Sequence, residues 1–557
     1  MTSCKKSLSR CIAAVLTAAA LASCLGVDGR LGESYLATNQ KYDIYTTDFA
    51  IDDIEMACPD SLSGYSLYRF TVGAVRDPLF GLTTRSAAFT LVPVADTLDF
   101  GKNPVFTSFH FAAPSDSVSC DDLSQLHILQ NINVYELTQP LDLTSLEPDL
   151  SHSAQRITRG VPVYNGSDSL SFDFSREFGE KYMRITQADL NDIDTYRKNF
   201  PGIYLSTDAP AGNGGRINMF QVPISVSNGS IYGSYAVLRF QADYGTRTQV
   251  DTSFYFYLGP LQKYNMAGVL STSTTAYPQL AYDFTTHESK GLEGKAEDVI
   301  WFEGGRGIKP VVKAKAIKDK LTEIVARHGD VSEIVVSKAT IEMPFEFPED
   351  YGDMRLYPTT LSPTCRIITD TSVTFAGITD ASISTENQGT VNRSTCMYAP
   401  DLSHHIQSLL RLEDESKIEN YDIWFLAMAD ETVNTGSTSS SSSGNDISDY
   451  YQQLAYASYY NSMYGYGDYG YGGYGGYGGY GGYGYGGYGG YGGYGYGNYY
   501  NYYNYLMLAQ MYSGSSDSST STQSMMDFHR FYRAKLNGPA SDNGPRLRVT
   551  YAIPAAE

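Results

Sequence analysis

The chain has 557 residues, which is enough for two or more domains with hydrophobic cores of their own. Its 61 acidic and 40 basic side chains give a formal charge of −21. This balance argues against nucleic acid as a partner and against electrostatic docking on an anionic membrane. Charged residues make up only 18% of the chain and tyrosine occurs 48 times, which is typical of secreted β-rich proteins.

The N-terminus has the pattern of an export signal. Lys5, Lys6 and Arg10 precede the apolar run Cys11–Leu21, which is too short to span a membrane, so residues 1–23 are predicted to be cleaved. Leu21-Ala22-Ser23-Cys24 resembles a bacterial lipobox, which implies that Cys24 is lipidated, with palmitate among its acyl chains. The alternative is an ordinary secretory signal with a chance cysteine. The lipobox interpretation predicts an outer-membrane lipoprotein anchored through its N-terminus.

The next segments are predicted to form a stalk and two β-rich regions. Residues 24–41 contain glycine and polar residues, as flexible stalks do. Short apolar and aromatic runs separated by Pro, Gly, Asp and Ser predict an antiparallel sandwich-like region over residues 42–150. A second β-rich region covers residues 151–435. Its predicted helices run from an N-cap at Thr186 to Phe200, over residues 311–327 on one apolar face, and over residues 402–412.

A change in composition marks residues 436–523. A serine run leads into tandem Tyr-Gly-Gly and Tyr-Gly units that lack aliphatic side chains, so this tract is predicted to be a disordered insertion. It is either an adhesive display segment or a tolerated expansion of a loop tip. Strands resume over residues 524–557. The predicted fold class is therefore mainly β, with antiparallel sandwich-like regions, a few short helices and one long disordered Tyr/Gly-rich insertion.

Four cysteines remain after the signal and the anchor, namely Cys58, Cys120, Cys365 and Cys396. An even number of cysteines in an oxidising compartment is compatible with disulfides. Cys365 and Cys396 are close enough in sequence to form one, and unpaired buried thiols are the alternative. No cysteine spacing indicates zinc.

Few residues indicate chemistry. The eight histidines show no metal-ligand spacing, the Gly-x-Ser-x-Gly motif of serine hydrolases is missing, and no cofactor or metal is predicted. The chain is therefore not predicted to be an enzyme. Asp-Ser/Thr-apolar tripeptides resemble a bacterial O-glycosylation sequon, and the candidate sites are Ser61, Thr97, Ser117 and Ser169.

Several motifs in a fixed order resemble one protein family. They are Asp77-Pro78-Leu79-Phe80-Gly81, the segment 134–142, Phe200-Pro201-Gly202-Ile203-Tyr204, Gly304-Gly305-Arg306-Gly307-Ile308-Lys309, Ser337-Lys338-Ala339-Thr340-Ile341 and the segment 544–551. Together they are similar to the Bacteroidota lipoproteins known as domain of unknown function 4270. The resemblance implies an outer-membrane or cell-surface β-rich lipoprotein and carries over no catalytic residues. The Gly304-Gly305-Arg306-Gly307 segment lacks the Lys-Ser/Thr ending of a phosphate loop and is predicted to be a turn.

Three functions remain open at this point. The first is a non-enzymatic binding or scaffold subunit, beside an outer-membrane β-barrel partner. The second is a surface glycan-binding module, which a flat aromatic sheet face would favour. The third is a glycoside hydrolase, which two convergent carboxylates in a deep cleft would favour. The residues after Cys24 carry no acidic cluster typical of surface export, so the side of the membrane stays open as well.

Overall fold

The computed structural model describes residues 42–59, 64–66, 69–95, 97–142, 147–167, 169–222, 224–227, 230–259, 281–368, 373–379, 385–436 and 518–555. The predicted signal, Cys24, the stalk, Ser61 and most of the Tyr/Gly-rich insertion lie outside the described residues. Most of the described chain forms antiparallel strands, so the predicted mainly β fold class is confirmed.

Strands dominate the chain, and short helices interrupt them. The strands are β1 Tyr42–Ala50, β2 Ile54–Ala57, β3 Tyr65–Ser66, β4 Arg69–Asp77, β5 Gly81–Pro93, β6 Lys102–Ser119, β7 Gln130–Leu137, β8 His152–Arg156, β9 Val163–Tyr164, β10 Ser169–Asp173, β11 Ile203–Thr207, β12 Gly214–Gln221, β13 Ile224–Ser227, β14 Ser230–Gly233, β15 Tyr235–Tyr244, β16 Arg247–Gly259, β17 Ala281–His287, β18 Gly294–Lys295, β19 Val299–Glu303, β20 Lys309–Val312, β21 Val335–Pro344, β22 Thr360–Ile368, β23 Val373–Gly377, β24 Val391–Asn392, β25 Met397–Tyr398, β26 Ile423–Gly436, β27 Ser518–Met526, β28 Arg533–Asn537 and β29 Arg546–Pro554. The α-helices are α1 Arg176–Tyr182, α2 Gln187–Asn191, α3 Ile193–Asn199, α4 Ala314–Val325 and α5 Ser403–Leu410, and 3-10 turns lie at Leu123–Gln125, Ser289–Leu292, Val331–Glu333, Tyr351–Leu356 and Glu415–Tyr421.

The largest sheet has thirteen strands and closes on itself. Its strand order runs β16-β15-β6-β12-β4-β5-β11-β7-β8, and β16 also pairs with β5. Strands β5, β4, β12, β6, β15 and β16 therefore form a ring. Phenylalanines from neighbouring strands fill one core, and helix α1 packs Phe178 and Tyr182 against Phe109 of β6. Burial of these aromatic side chains is the main driving force for this half of the fold.

The second core lies between two other sheets, ordered β1-β29-β21-β25-β24 and β18-β2-β20-β26-β22-β23, with β27 paired to β26. Strands β1 and β2 begin the described chain but pair with β29 and β20, from much later in the sequence. The predicted division at residue 150 falls inside the thirteen-stranded sheet, because β8 after it pairs with β7 before it. Sheet pairing therefore groups the chain differently from the predicted 42–150 and 151–435 regions.

The predicted helices are shorter in the structure. Thr186 forms the expected capping box with Asp189, but extended backbone at Asp192 divides the helix into α2 and α3. The amphipathic helix begins at Ala314 instead of residue 311, because Val311 and Val312 belong to strand β20, which pairs with both β2 and β26. Helix α1 was not predicted from the sequence. Within the described ranges, none of the helices has the length and apolar character needed to cross a membrane.

The hairpin formed by β26 and β27 carries the Tyr/Gly-rich tract. The two strands pair from Met428 opposite Met526 to Gly436 opposite Ser518. Residues 437–517 therefore leave and rejoin the fold at neighbouring backbone positions, as an insertion requires. Strand β27 begins at Ser518, slightly before the predicted start of the C-terminal strands at residue 524.

The predicted Cys365–Cys396 disulfide is not formed, and both residues are free thiols. Cys365 is buried in β22, where it pairs with Ile423. Cys396 lies in the turn before β25, and its Sγ donates to the carbonyl of Arg393. Cys365 lies in a strand of one sheet and Cys396 in a turn that leads into a strand of another, so the alternative of unpaired thiols describes the structure.

Candidate functional site

A cleft opens beside the edge strand β8, with a volume of about 600 Å³. We call it the β8 cleft. Its lining residues come from β7, from β8 with the segment after it, and from α1. They are Glu136, Ser153, Gln155, Arg156, Ile157, Thr158, Arg159, Ser175, Arg176, Glu177, Phe178 and Lys181.

Local structure explains how α1 presents its polar residues to the cleft. The Ser175 side chain caps the helix by accepting from the Phe178 backbone N–H at 3.2 Å. Phe178 is buried against the aromatic core, which holds this face of the helix inward. Arg176 and Glu177 are consequently exposed.

Ion pairs use some of the charges that line the cleft. Lys181 Nζ lies 2.5 Å from Glu136 Oε1, and Arg176 lies 2.7 Å from Glu180, one helical turn away. Arg156 Nε donates to Asn133 Oδ1 at 2.9 Å. The exposed Arg159 side chain makes no ion pair or hydrogen bond with the part of the chain that the structure describes. Arg159 thus offers a whole guanidinium group to a ligand.

The two cleft carboxylates are poor candidates for a catalytic acid. Hydrogen bonds from its own backbone N–H and from Ser175 lower the pKa of Glu177, which favours the ionised form. Glu136 is held by Lys181. A glycosidase needs one carboxyl group with a raised pKa that donates a proton at neutral pH, and the hydrogen bonds to Glu177 work against that state.

A second group of charged side chains is buried between the two cores. Glu303 ends β19 and accepts a hydrogen bond from Thr83 of β5. Lys309 begins β20, and its ammonium group donates to the Glu303 carbonyl and, at 2.7 Å, to the Gly307 carbonyl. The loop with the Gly304-Gly305-Arg306-Gly307 motif therefore encloses a lysine, and the prediction of a turn in place of a phosphate loop agrees with this geometry.

Burial strongly shifts the pKa values in this polar cluster. Burial raises the pKa of Asp283 to about 7, although Thr71 donates to both of its carboxylate oxygens. Burial also lowers the pKa of Lys309 to about 7 and that of His287 to about 4. Glu303, Lys309 and Asp283 are all 5% exposed or less, so substrate has no access to them. The cluster joins β5 and β17 of the large sheet to β19 and β20.

The aromatic rings of two tyrosines beside β8 are covered by a histidine. His152 stacks on Tyr135 with ring centroids 4.4 Å apart and on Tyr204 with centroids 4.9 Å apart. The imidazole occupies the ring faces on which a sugar would stack. Trp424 is buried, and Trp301 is half-buried against the core.

The structure places the other predicted sites apart from the β8 cleft. Among the candidate O-glycosylation residues, Thr97 and Ser169 are exposed and Ser117 is half-buried in β6. No group of three or more His, Cys, Asp or Glu residues suited to hold a metal occurs within the described residues. The cleft residues themselves follow no sequence motif, because strand pairing and helix packing bring them together from separate segments.

Comparison of the chain with protein-family models, with curated proteins and with solved structures gives no match. The resemblance to domain of unknown function 4270 therefore stays a prediction that rests on its motifs.

Proposed function

We propose that this chain is a lipoprotein anchored to the outer membrane through Cys24, and that it serves as a non-enzymatic binding or scaffold subunit of a cell-envelope complex. The lipobox-like segment supports the anchor. The described fold begins at Tyr42, so the intervening residues allow it to stand at most about 65 Å from the lipidated cysteine. That reach is enough for the folded body to contact a neighbouring membrane protein.

The residues whose pKa values are strongly shifted lie outside the β8 cleft, and this separation favours binding over catalysis. Catalytic groups with shifted pKa values normally line a cleft that substrate can enter. Here Asp283, Lys309 and His287 belong to the polar cluster, which shares no residue with the β8 cleft. The cleft instead offers ionised groups and hydroxyls, which suit recognition.

Mild cross-linking in intact outer membranes tests this proposal. The tagged full-length protein is recovered and its partners are identified by mass spectrometry, alongside Cys24→Ala and, as a matched cysteine control, Cys396→Ala. We expect stoichiometric recovery of a β-barrel protein from the unsubstituted chain and from Cys396→Ala, and loss of that partner with Cys24→Ala. Recovery of the tagged protein without a partner above background would contradict the scaffold role.

A further inference from the structure

The β8 cleft suggests what the protein binds. We propose that the cleft binds a saccharide that carries a single carboxylate group, with Arg159 as its main anchor and Arg156 beside it. This inference rests on the proposed binding role and adds a site and a ligand class to it.

The size of the cleft favours a small organic ligand over a bare anion. Its volume of about 600 Å³ falls within the roughly 300–1,000 Å³ typical of pockets that enclose small molecules. A single phosphate or sulfate ion would leave most of this space to water. One or two sugar rings fit the volume far better.

The charged groups at the rim match a carboxylate. Arg159 is exposed, and its guanidinium has no partner among the residues that the structure describes. Arg156 uses Nε for Asn133, and its charge also helps to lower the pKa of the nearby Asp208, but its two terminal nitrogens form no hydrogen bond with the described residues. Guanidinium groups bind carboxylates through two parallel hydrogen bonds, so this pair recognises both the charge and the plane of the ligand group.

The polar part of the lining matches the hydroxyls of a sugar. Ser153 donates to the Gln155 carbonyl at 2.8 Å and Thr158 donates to the Gly160 carbonyl at 2.6 Å. Ser153 Oγ also accepts from the Glu136 backbone N–H at 3.3 Å, which leaves it one lone pair for a sugar hydroxyl, whereas Thr158 Oγ1 keeps two. Ile157 and Phe178 border the cleft, but they are only 8% and 4% exposed, so a ligand meets only a small part of either side chain.

The charge of the whole chain restricts the ligand further. A protein with a formal charge of −21 repels long polyanions such as nucleic acids and highly charged polysaccharides. Charges more than about 8 Å away are largely screened at physiological salt, so a single carboxylate within reach of Arg159 is governed by the cleft itself. A mostly neutral saccharide with one acidic residue satisfies both conditions.

Calorimetric titration of the full-length lipoprotein in detergent micelles tests the inference. The probes are galacturonate-, glucuronate- and mannuronate-containing disaccharides, each with one carboxylate, and their neutral methyl esters. We expect at least one acid to bind and its ester to bind at least about 10-fold more weakly. Arg159→Gln should weaken binding about 10-fold and Arg156→Gln less, whereas Arg247→Gln, at an exposed arginine in the β15–β16 hairpin, should leave binding unchanged.

Three results would overturn the inference: no binding by any acidic disaccharide, equal binding of acids and esters, or equal affinity in Arg159→Gln and the unsubstituted protein. Full displacement of the disaccharide by equimolar inorganic phosphate would also overturn it, because the site would then recognise only an oxyanion. The cross-linking result distinguishes the two proposals. A captured β-barrel partner without saccharide binding removes this inference alone, and saccharide binding without a captured partner removes the scaffold role alone.

Discussion

The buried His405 should make the protein lose stability in mild acid. This side chain is fully buried in α5, and its Nε2 lies 2.9 Å from the Tyr421 carbonyl, which accepts the ring N–H. Burial is the main cause that lowers the pKa of His405 from 6.5 to about 4, with the neighbouring charge of His404 acting in the same direction. A histidine with a depressed folded-state pKa contributes stability above pH 6.5 that is lost as the pH falls towards 4.

The expected loss follows from the two pKa values of His405. One pKa unit corresponds to about 1.4 kcal/mol, so the unfolded chain gains roughly 3 kcal/mol at the acid limit and about 2.5 kcal/mol at pH 4.5. His405→Gln keeps an N–H donor but does not titrate. It should cost about 1–2 kcal/mol at pH 7 through poorer packing, and this cost should disappear or reverse at pH 4.5.

Urea unfolding of the unsubstituted protein and of His405→Gln at several pH values between 7.5 and 4.5 measures this effect. His404→Gln is the matched control, because His404 is adjacent in sequence but exposed. The difference in unfolding free energy between the unsubstituted protein and His405→Gln should change by about 2.5 kcal/mol across this range, and the control should change little. A difference that stays constant from pH 7.5 to 4.5 would refute the assignment of a buried neutral imidazole.

Three further outcomes are expected. The pKa of Asp283 is raised in the folded state, so its contribution to stability is present below pH 4 and is lost as the pH rises towards 7, by up to roughly 4 kcal/mol. Asp283→Asn should therefore flatten the plot of unfolding free energy against pH between 4 and 7, as measured by urea unfolding. An unchanged dependence on pH would contradict this prediction. Gly305→Ala should lower the free energy of unfolding by about 1–3 kcal/mol in thermal melts, because φ at Gly305 is +61° and the added Cβ would overlap the guanidinium of Arg85 in β5. Gly291→Ala is the control, since Gly291 has open space around it, and it should have little effect. Cys396 should react with iodoacetamide in the folded protein, whereas the buried Cys365 should react only after unfolding. Peptide mass spectrometry measures both reactions, and protection of both cysteines until a reductant is added would instead indicate a disulfide.

Local sequence signals predicted local structure well. Strands β15 and β16 pair around a turn at Gly245, an arrangement that apolar alternation and turn chemistry favour. Thr186 acts as the expected N-cap, since capping depends on residues three positions apart. Signals of this kind involve only neighbours in the chain.

Pairing between distant segments could not be predicted. Val312 has the spacing of a helix residue, but its backbone pairs with Ile54, so the distant partner decides its conformation. Tyr42 likewise pairs with Pro554 at the opposite end of the chain. The β8 cleft has the same origin, because Glu136 and Lys181 meet only after β7, β8 and α1 have packed together.

The pairing of Gly436 with Ser518 places the two ends of the intervening segment at neighbouring backbone positions. The entropy of closing such a loop grows slowly, by about 0.6 kcal/mol for each doubling of its length. Tyr-Gly units can therefore be gained or lost through repeat slippage with little effect on folding. The β26–β27 hairpin is thus a position at which a change in the length of the intervening segment costs little closure free energy.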